Sequence, residues 1–591
     1  VYSAPRVNEP IPNGNTSISG GFSTVTEAAD LANILSVGRL PSKIDIIEEA
    51  VVGPTLGAAT VSAGLWSLVA GFILVLLFML GYYATAGVIA VLALFLNVFF
   101  IFGSLASAGT VLTLPGIAGI ILNIGMAVDA NVIIFERIRE ELRAGLHWKE
   151  AIQKGFSHSY SAFLDANVTT LIVAFILFRY GLGPIKGFAT VLGIGVICSV
   201  FSAVLIGRLL FDNWVERNKE VKVWANWSQN ILADMKVDFV SKRKMAYGIS
   251  GVILSLGVVS MLASGFELGV DLQGGRSYTV QFADDVNTTA FKEEIEQSFT
   301  SLNLDKNNTD KVVVREFSKS TQAKVTTSFL QGSAEIDEEA WQADSLVLRK
   351  VYDAAKAYSG SDIDYETFAA GEPATGGAAG AFYLSASSKV GPTIADDIRN
   401  SAGWAAGLSL LFIFLYILLR FNRWQYSAGA LAALVHDVLF VLSIFSIGKN
   451  FLPFSMEIDQ AFIAAILTVI GYSINDTVVV FDRIREVGRD LQDKASFKEI
   501  VNIAVNSTVS RTLITSVTTM LVVLILFLFG GSGIKGFAFA LLVGILVGTY
   551  SSIFIATPVV VDTTGDKNIF DAPAPVEEVA EETDDTDVAE S

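Results

Sequence analysis

Gly125–Glu140 reads GMAVDANVIIFERIRE, and Gly471–Glu486 reads GYSINDTVVVFDRIRE. Laid side by side, 346 residues apart, Gly, Val, Phe, Arg, Ile, Arg and Glu coincide, and Glu136 faces Asp482. A match of this length marks an internal duplication. Each copy closes a long apolar run that holds one carboxylate, Asp129 in the first and Asp476 in the second. Each run then breaks into a basic, amphipathic segment. A carboxylate inside a membrane helix costs about 2.5–3.5 kcal/mol on insertion scales, so its presence there points to a function.

Composition agrees with a membrane setting. The chain has 591 residues, 52% hydrophobic and 17% charged, as expected of a polytopic α-helical protein and not of a soluble one. The formal net charge of −18 gives no hint of nucleic-acid binding. The single Cys198 cannot form an internal disulfide and reads as a packing residue.

Working outward from the motif, apolar runs of spanning length (about 20 residues) fall near 62–83, 87–105, 112–135, 162–180 and 185–211, then 245–264, then 401–420, 427–447, 459–481, 509–530 and 533–556. That is about 11 spans. The repeat extends beyond the motif: VGPTL at 52–56 recurs as VGPTI at 390–394, and GPIKGFA at 183–189 as GIKGFA at 533–538. The domain reading is therefore a domain remnant (1–57), five spans (58–211), a linker (212–244), one span (245–264), a soluble domain (265–399), five spans (400–556) and an acidic tail (557–591). By symmetry the first half is expected to begin with one more span, the twelfth, and a larger outer domain. The insert reads strand–helix–strand–strand–helix–strand, with strands at 278–282, 311–317, 324–329 and 381–387 and helices at 288–299 and 344–358. That order predicts a ferredoxin-like α+β domain. Its glycine runs, GVDLQGG and GEPATGGAAG, lack the context of a nucleotide-binding loop.

Lys and Arg set the orientation. Arg137, Arg139, Arg143, Lys149 and Lys154, their twins Arg483, Arg485, Arg489, Lys494 and Lys498, and the basic linker all fall on one side, which the rule makes cytoplasmic. The segment 265–399 then lies outside and the acidic tail inside.

One acid per half, on equivalent helices, fits a proton relay at a repeat interface. The two acids are offset, because Asp129 falls opposite Asn475, and Asp476 opposite Ala130. One residue is about 100° of helix rotation, so unequal roles are expected. Arg511, in STVSRTLITSVTT, stands where the first half has Ala162, and it is a cation for Asp476 to pair with or an arginine snorkelling to the interface. Asn475 and Thr477 flank Asp476. His436 and Asp437, inside the eighth span, extend a proton path or fix helix contacts. Asp165, in FLDANVTT, is a further candidate or an interfacial acid. No His/Cys cluster has metal spacing and no nucleophile motif is found, so neither a metal nor a chemical catalyst is expected.

These motifs carry a resemblance. VGPTLG, GMAVDANVIIFERIREEL, FLDANVTTLI and GPIKGFA resemble SecD; GYSINDTVVVFDRIRE, SRTLITS and GIKGFA resemble SecF. The chain thus resembles the fused SecDF family of the RND superfamily, over nearly all its length except the acidic tail. The resemblance implies an RND-type duplicated bundle with periplasmic domains in the bacterial inner membrane. It implies assistance to preprotein export driven by the proton-motive force, with no cofactor beyond the proton gradient. Expected partners are the SecYEG channel, a YidC-type insertase, SecA, unfolded preprotein and membrane lipid. It assigns proton coupling to Asp129, Asp476 and Arg511, and Gly53, Pro54, Gly391 and Pro392 are read as hinges of the VGPT segments. Three rival readings are an RND-family exporter of small molecules or lipids, an intramembrane aspartyl protease, and a non-catalytic scaffold. The small insert argues against the first. Flanks VDAN and INDT, without Gly-x-Gly-Asp, argue against the second. The third requires the aspartates to tolerate Asn.

Overall fold

The two helices that carry the repeated motif are the most deeply buried spans. In the computed structural model, 94% of the apolar window of Leu114–Arg143 and 89% of that of Gln460–Leu491 is enclosed by protein, against 17–67% for the other spans. They form the centre of the bundle. The structure describes residues 48–52, 54–110, 112–217, 221–229, 231, 235–300, 312–317, 320–328, 340–371, 381–449, 451–452, 454–491 and 494–565. The proposed domain remnant up to 47, the hinge residue Gly53, most of the GEPATGGAAG run and the tail beyond 565 lie outside them.

The first half comprises strand β1 (Glu48–Val52) and helices α1 (Pro54–Ser107), α2 (Leu114–Arg143), α3 (Trp148–Tyr180) and α4 (Pro184–Phe201). Helix α4 runs through a π-helical turn, Ser202–Ile206, into α5 (Gly207–Glu216). Thr113 caps α2 by accepting from the Gly116 amide at 3.2 Å, with a proline in the first turn. The two spans read near 62–83 and 87–105 are two helical stretches of α1 that meet at a sharp turn at Ala84 (φ 49°, ψ −119°). No Pro or charged residue separates the two runs. The left-handed backbone at Ala84, uncommon outside glycine, does the turning. The linker fastens this corner, with the Ala86 amide donating to Lys222 O at 3.0 Å and the Ala225 amide to Tyr82 O at 3.3 Å.

The second half opens with α6 (Arg243–Ser264) and the soluble domain: β2 (Gly275–Phe282), α7 (Thr288–Thr300), β3 (Val312–Glu316), β4 (Gln322–Thr327), α8 (Ala340–Ser359) and β5 (Phe382–Val390). The sheet order is β1-β5-β2-β4-β3, with every neighbouring pair antiparallel. The run β5-β2-β4-β3 is the strand order of a ferredoxin-like fold. Phe291, Ile295, Phe299, Val347 and Val351 from the two helices pack with Val280, Val325 and Phe382 of the sheet. Strand β4 lies two residues earlier than the sequence reading, and β5 runs three residues further. Strand β1 is a feature the sequence reading lacks. Its EEAVV looks like linker, and its partner β5 is more than 300 residues away, with Glu48 opposite Val390 and Val52 opposite Ala386.

Helices α9 (Pro392–Phe421), α10 (Trp424–Gly448), α11 (Gln460–Leu491), α12 (Phe497–Phe529) and α13 (Lys535–Ser551) complete the bundle; α13 passes through a second π-helical turn, Ser552–Ala556, into α14 (Thr557–Thr564). Three boundaries move. Helix α9 begins at Pro392, within the segment read as soluble up to 399, because Gly391 is extended and Pro392 sits in the first turn. Helix persists to Glu216 rather than 211, and to Thr564 rather than 556. The π turns fall at matching places in the last span of each half, so the duplication extends to an irregularity of the backbone. The linker returns to α12, where Asn506 and Asn502 accept from the Val237 and Phe239 amides, each at 2.9 Å.

Candidate functional site

Each motif begins with a glycine, and the packing explains why. A Cβ on Gly125 would lie 3.2 Å from Thr519 Cα; one on Gly471 would lie 3.4 Å from Val173 and 3.7 Å from Thr170 Cα. Thr170 on α3 and Thr519 on α12 are themselves repeat equivalents, since their segments start at Ala162 and Arg511. Thus α2 of the first half meets α12 of the second, and α11 meets α3, in the same way. Small residues permit such close crossings inside a membrane. The Thr170 hydroxyl also donates to Gly471 O at 3.3 Å.

The acids lie one turn below these glycines, at the contact between halves. Asp129 is 4% exposed and Asp476 6%, and they are near enough to interact through space. Their surroundings differ. Asp476 accepts from Ser516 Oγ of α12 at 3.3 Å, and Ser516 contacts Thr549 Oγ1 of α13 at 2.5 Å. Asp129 has no hydrogen-bond partner on either oxygen. It borders a small cavity with Asn475, Asn123, Asn167, Thr170 and Ser199. The offset between the two acids thus places them against different helices.

Arg511 is half-buried, and no ion pair joins it to Asp476 among the described residues. It lies five residues before Ser516, about 7.5 Å along the axis of α12. It lines a cavity of about 230 Å³ between the two halves together with its repeat counterpart Ala162 and with Glu140, Asp482 and Arg483. Its Nε has no partner.

Thr477 contacts Ser552 Oγ of the second π turn at 2.8 Å. His436 and Asp437 form a buried pair, Nδ1 to Oδ1 at 3.0 Å. Ser473 (2.5 Å) and Ser551 (2.8 Å) both donate to Asp437 Oδ2, and the far side of the His436 ring contacts Ser250 Oγ at 3.0 Å. These contacts tie α6, α10, α11 and α13 together. Asp165 joins the halves: it accepts from Tyr416 Oη at 2.7 Å and from Arg420 Nε at 2.5 Å, both on α9. Of the hinge residues, Gly391 and Pro392 form the strand-to-helix junction after β5, and Pro54 opens α1.

Several residues escaped the sequence reading. Tyr472, one turn above Asp476, is buried within electrostatic reach of both acids. Its counterpart is Met126. At the basic end, Arg137 pairs with Glu486 at 2.7 Å and Arg483 pairs with Glu140. The signal was present in FERIRE and FDRIRE. Charges repeated at equivalent positions become reciprocal partners when a pseudo-twofold brings the copies together.

A duplicated helix bundle with an acid, Asp129 or Asp476, buried on the repeated helix of each half, and a ferredoxin-like domain between the halves, defines an RND-type membrane protein. Comparison with known proteins gives the family. The model described as "Protein export membrane protein SecD/SecF, C-terminal" matches residues 36–217 and 375–566, and that of the "SecD/SecF GG Motif" matches 259–286. "Protein translocase subunit SecDF" of Bacillus subtilis (strain 168) is 34% identical over 578 residues, spanning 94% of this chain and 71% of that one. The subunit of the same name from Brucella abortus biovar 1 (strain 9-941) is also 34% identical, over 95% of this chain and 68% of its own. The crystal structure of SecDF from Thermus thermophilus superposes with a TM-score of 0.75 at 33% identity, covering 93% of this chain and 68% of that one. The chain belongs to the SecD/SecF protein-export family, in its fused SecDF form.

Proposed function

We propose that this chain is an accessory subunit of the Sec protein translocase that draws on the proton-motive force. The observation that carries the reading is the pair of buried acids, Asp129 and Asp476, placed where the halves cross. A proton arriving at such a site changes its charge and so its preferred packing. Neutralising Asp476 weakens its hold on Ser516. The halves then rock, and Arg511 moves between the inner cavity and Asp476. The motion passes through the VGPT junctions, Gly53–Pro54 and Gly391–Pro392, to the outer domains, which act on the emerging preprotein. Each charge crossing the membrane supplies about 2.3 kcal/mol per 100 mV, enough to bias an equilibrium of a few kcal/mol.

In this reading the protein sits in the bacterial cytoplasmic membrane, with residues 265–399 outside and the acidic tail inside. It works beside the SecYEG channel, with SecA and a YidC-type insertase as further partners. It needs no cofactor beyond the gradient and is a motor, not a chemical catalyst. The test is preprotein export by inverted vesicles with an imposed gradient. Asp476→Asn and Asp129→Asn should each abolish the gradient-dependent part and leave a folded protein. Full gradient-dependent export by either variant overturns the reading.

A further inference from the structure

We infer that Asn475 is a positioning residue for Asp129, and that the two hold one water molecule between the halves of the protein. The inference rests on the proton-coupled reading above and adds a site to it. Asp129, on α2, and Asn475, on α11, border the same cavity, which leaves about 20 Å³ for the centre of a guest. That is room for one water.

Three buried oxygens there have no hydrogen-bond partner: both carboxylate oxygens of Asp129 and Oδ1 of Asn475. No neighbouring donor reaches these oxygens. Asn123 donates to Val191 O at 3.0 Å, Asn167 to Phe163 O at 2.8 Å and Thr170 to Ala166 O and Gly471 O. All three oxygens accept hydrogen bonds, so the cavity calls for a guest that donates. Water satisfies this with one O–H to Asp129 and the other to Asn475. Leaving such a carboxylate dry costs the full desolvation penalty of a charged acceptor. The titratable groups nearest Asp129 are Asp476 and Tyr472.

The bridge has a role in the proton step. A hydronium formed at this position hands one proton to the Asp129 carboxylate and leaves a neutral water and a carboxylic acid. Asn475 fixes the water so that its proton points at Asp129. Because the two residues belong to different halves, the bridge exists only while the halves are closed on each other.

The experiment uses the full chain in proteoliposomes, with two readouts. One is proton flux under an imposed gradient, read by an internal pH dye. The other is the acid-minus-neutral infrared difference spectrum, in ordinary and ¹⁸O water. Asn475→Leu fills the cavity. It should slow flux roughly tenfold, the scale of one lost hydrogen bond to a charged group. It should also raise the carbonyl frequency of protonated Asp129 and erase an ¹⁸O-sensitive O–H band. Asn475→Ala enlarges the cavity instead, admits a second water and should keep that band, which guards against a failure of the leucine variant to fold.

The band is assigned through Asp129→Asn. If that variant keeps its flux, the proton-coupled reading itself fails. If it loses flux while Asn475→Leu keeps both flux and band, the water bridge alone fails. A shift of the Asp129 band on adding sodium at constant pH also overturns the bridge, by replacing water with a metal cation.

Discussion

Arg137, from the first repeat, donates to Glu486 of the second at 2.7 Å, and Arg483, its counterpart, pairs with Glu140 in return. The four residues occupy two equivalent positions of one motif, so a single repeated sequence has produced a reciprocal clasp. The four residues of the clasp line the cavity that holds Arg511. Arg137 is 12% exposed and Glu486 42%, so the pairs are partly screened.

Reversing one charge should loosen the clasp, and reversing both members of a pair should restore it. Arg137→Glu is expected to lower stability by about 1 kcal/mol, and Arg137→Glu with Glu486→Arg to recover most of that. Thermal unfolding in detergent for the full double-mutant cycle checks this. Additive losses, with no recovery, would show that the pair carries no coupling.

Asp459 gives the junction between α11 and the soluble domain a pH dependence. It caps α11, accepting from the Phe462 amide at 2.8 Å, while Asp271 accepts from the Gln460 amide at 3.2 Å. Burial, followed by the nearby Asp271 carboxylate, raises the Asp459 pKa to about 7. The folded arrangement therefore holds a proton that the unfolded chain releases near its ordinary value. Stability of this junction should fall as pH rises from about 4 to about 7, and level off above that. Hydrogen exchange at the Gly269 and Ile458 amides, corrected for intrinsic rates, reads the change. Those amides bond to Ile458 O at 3.0 Å and Glu267 O at 2.8 Å. Asp459→Asn keeps the cap and should flatten the profile; an unchanged profile would assign it to another group.

Asp165 is an anchor in this structure. Arg420→Ala strips the cation from a buried carboxylate and should destabilise the protein by about 2 kcal/mol, less than a fully buried pair because the arginine reaches solvent. Asp165→Asn keeps the Tyr416 hydrogen bond and should retain gradient-dependent export, in contrast to Asp476→Asn. Loss of export by folded Asp165→Asn would move this residue into the proton path.

Gly125→Leu should drive α2 and α12 apart. The added side chain meets Thr519 backbone, which cannot swing away, and overpacking of this kind costs about 1–3 kcal/mol. Gly125→Ala, whose Cβ needs only a few tenths of an ångström, should be mild. The melting temperatures of the two variants separate steric exclusion from a general need for glycine.

The duplication, the spans and the order of elements in the outer domain were legible because each rests on a local pattern. Apolar run length, alternation and a repeated motif need no knowledge of distant contacts. The break between the runs 62–83 and 87–105 brackets the turn at Ala84, but its sharpness was hidden, since nothing in YATAG forbids helix and the linker that holds the corner lies about 140 residues away. Strand β1 was hidden for a similar reason. At the candidate site the acids stood out by their cost in an apolar run. Their environments did not: a one-residue offset gives direction but not neighbours, so the partnered Asp476 and unpartnered Asp129 required coordinates. Asp165 drew notice for its charge, while its cation sits on a span whose sequence holds no matching motif.

The β1–β5 ladder sets a rule for movement outside the membrane. Strand β1 precedes α1 of the first half, and β5 leads through Gly391 and Pro392 into α9 of the second. Any relative sliding of the two halves must therefore shear this ladder lengthwise. A slip of one residue would turn every side chain of β1 to the opposite face, so the ladder resists gradual creep. It tilts as a unit, jumps by two residues, or unzips, so a displacement of the two halves at this sheet is stepwise.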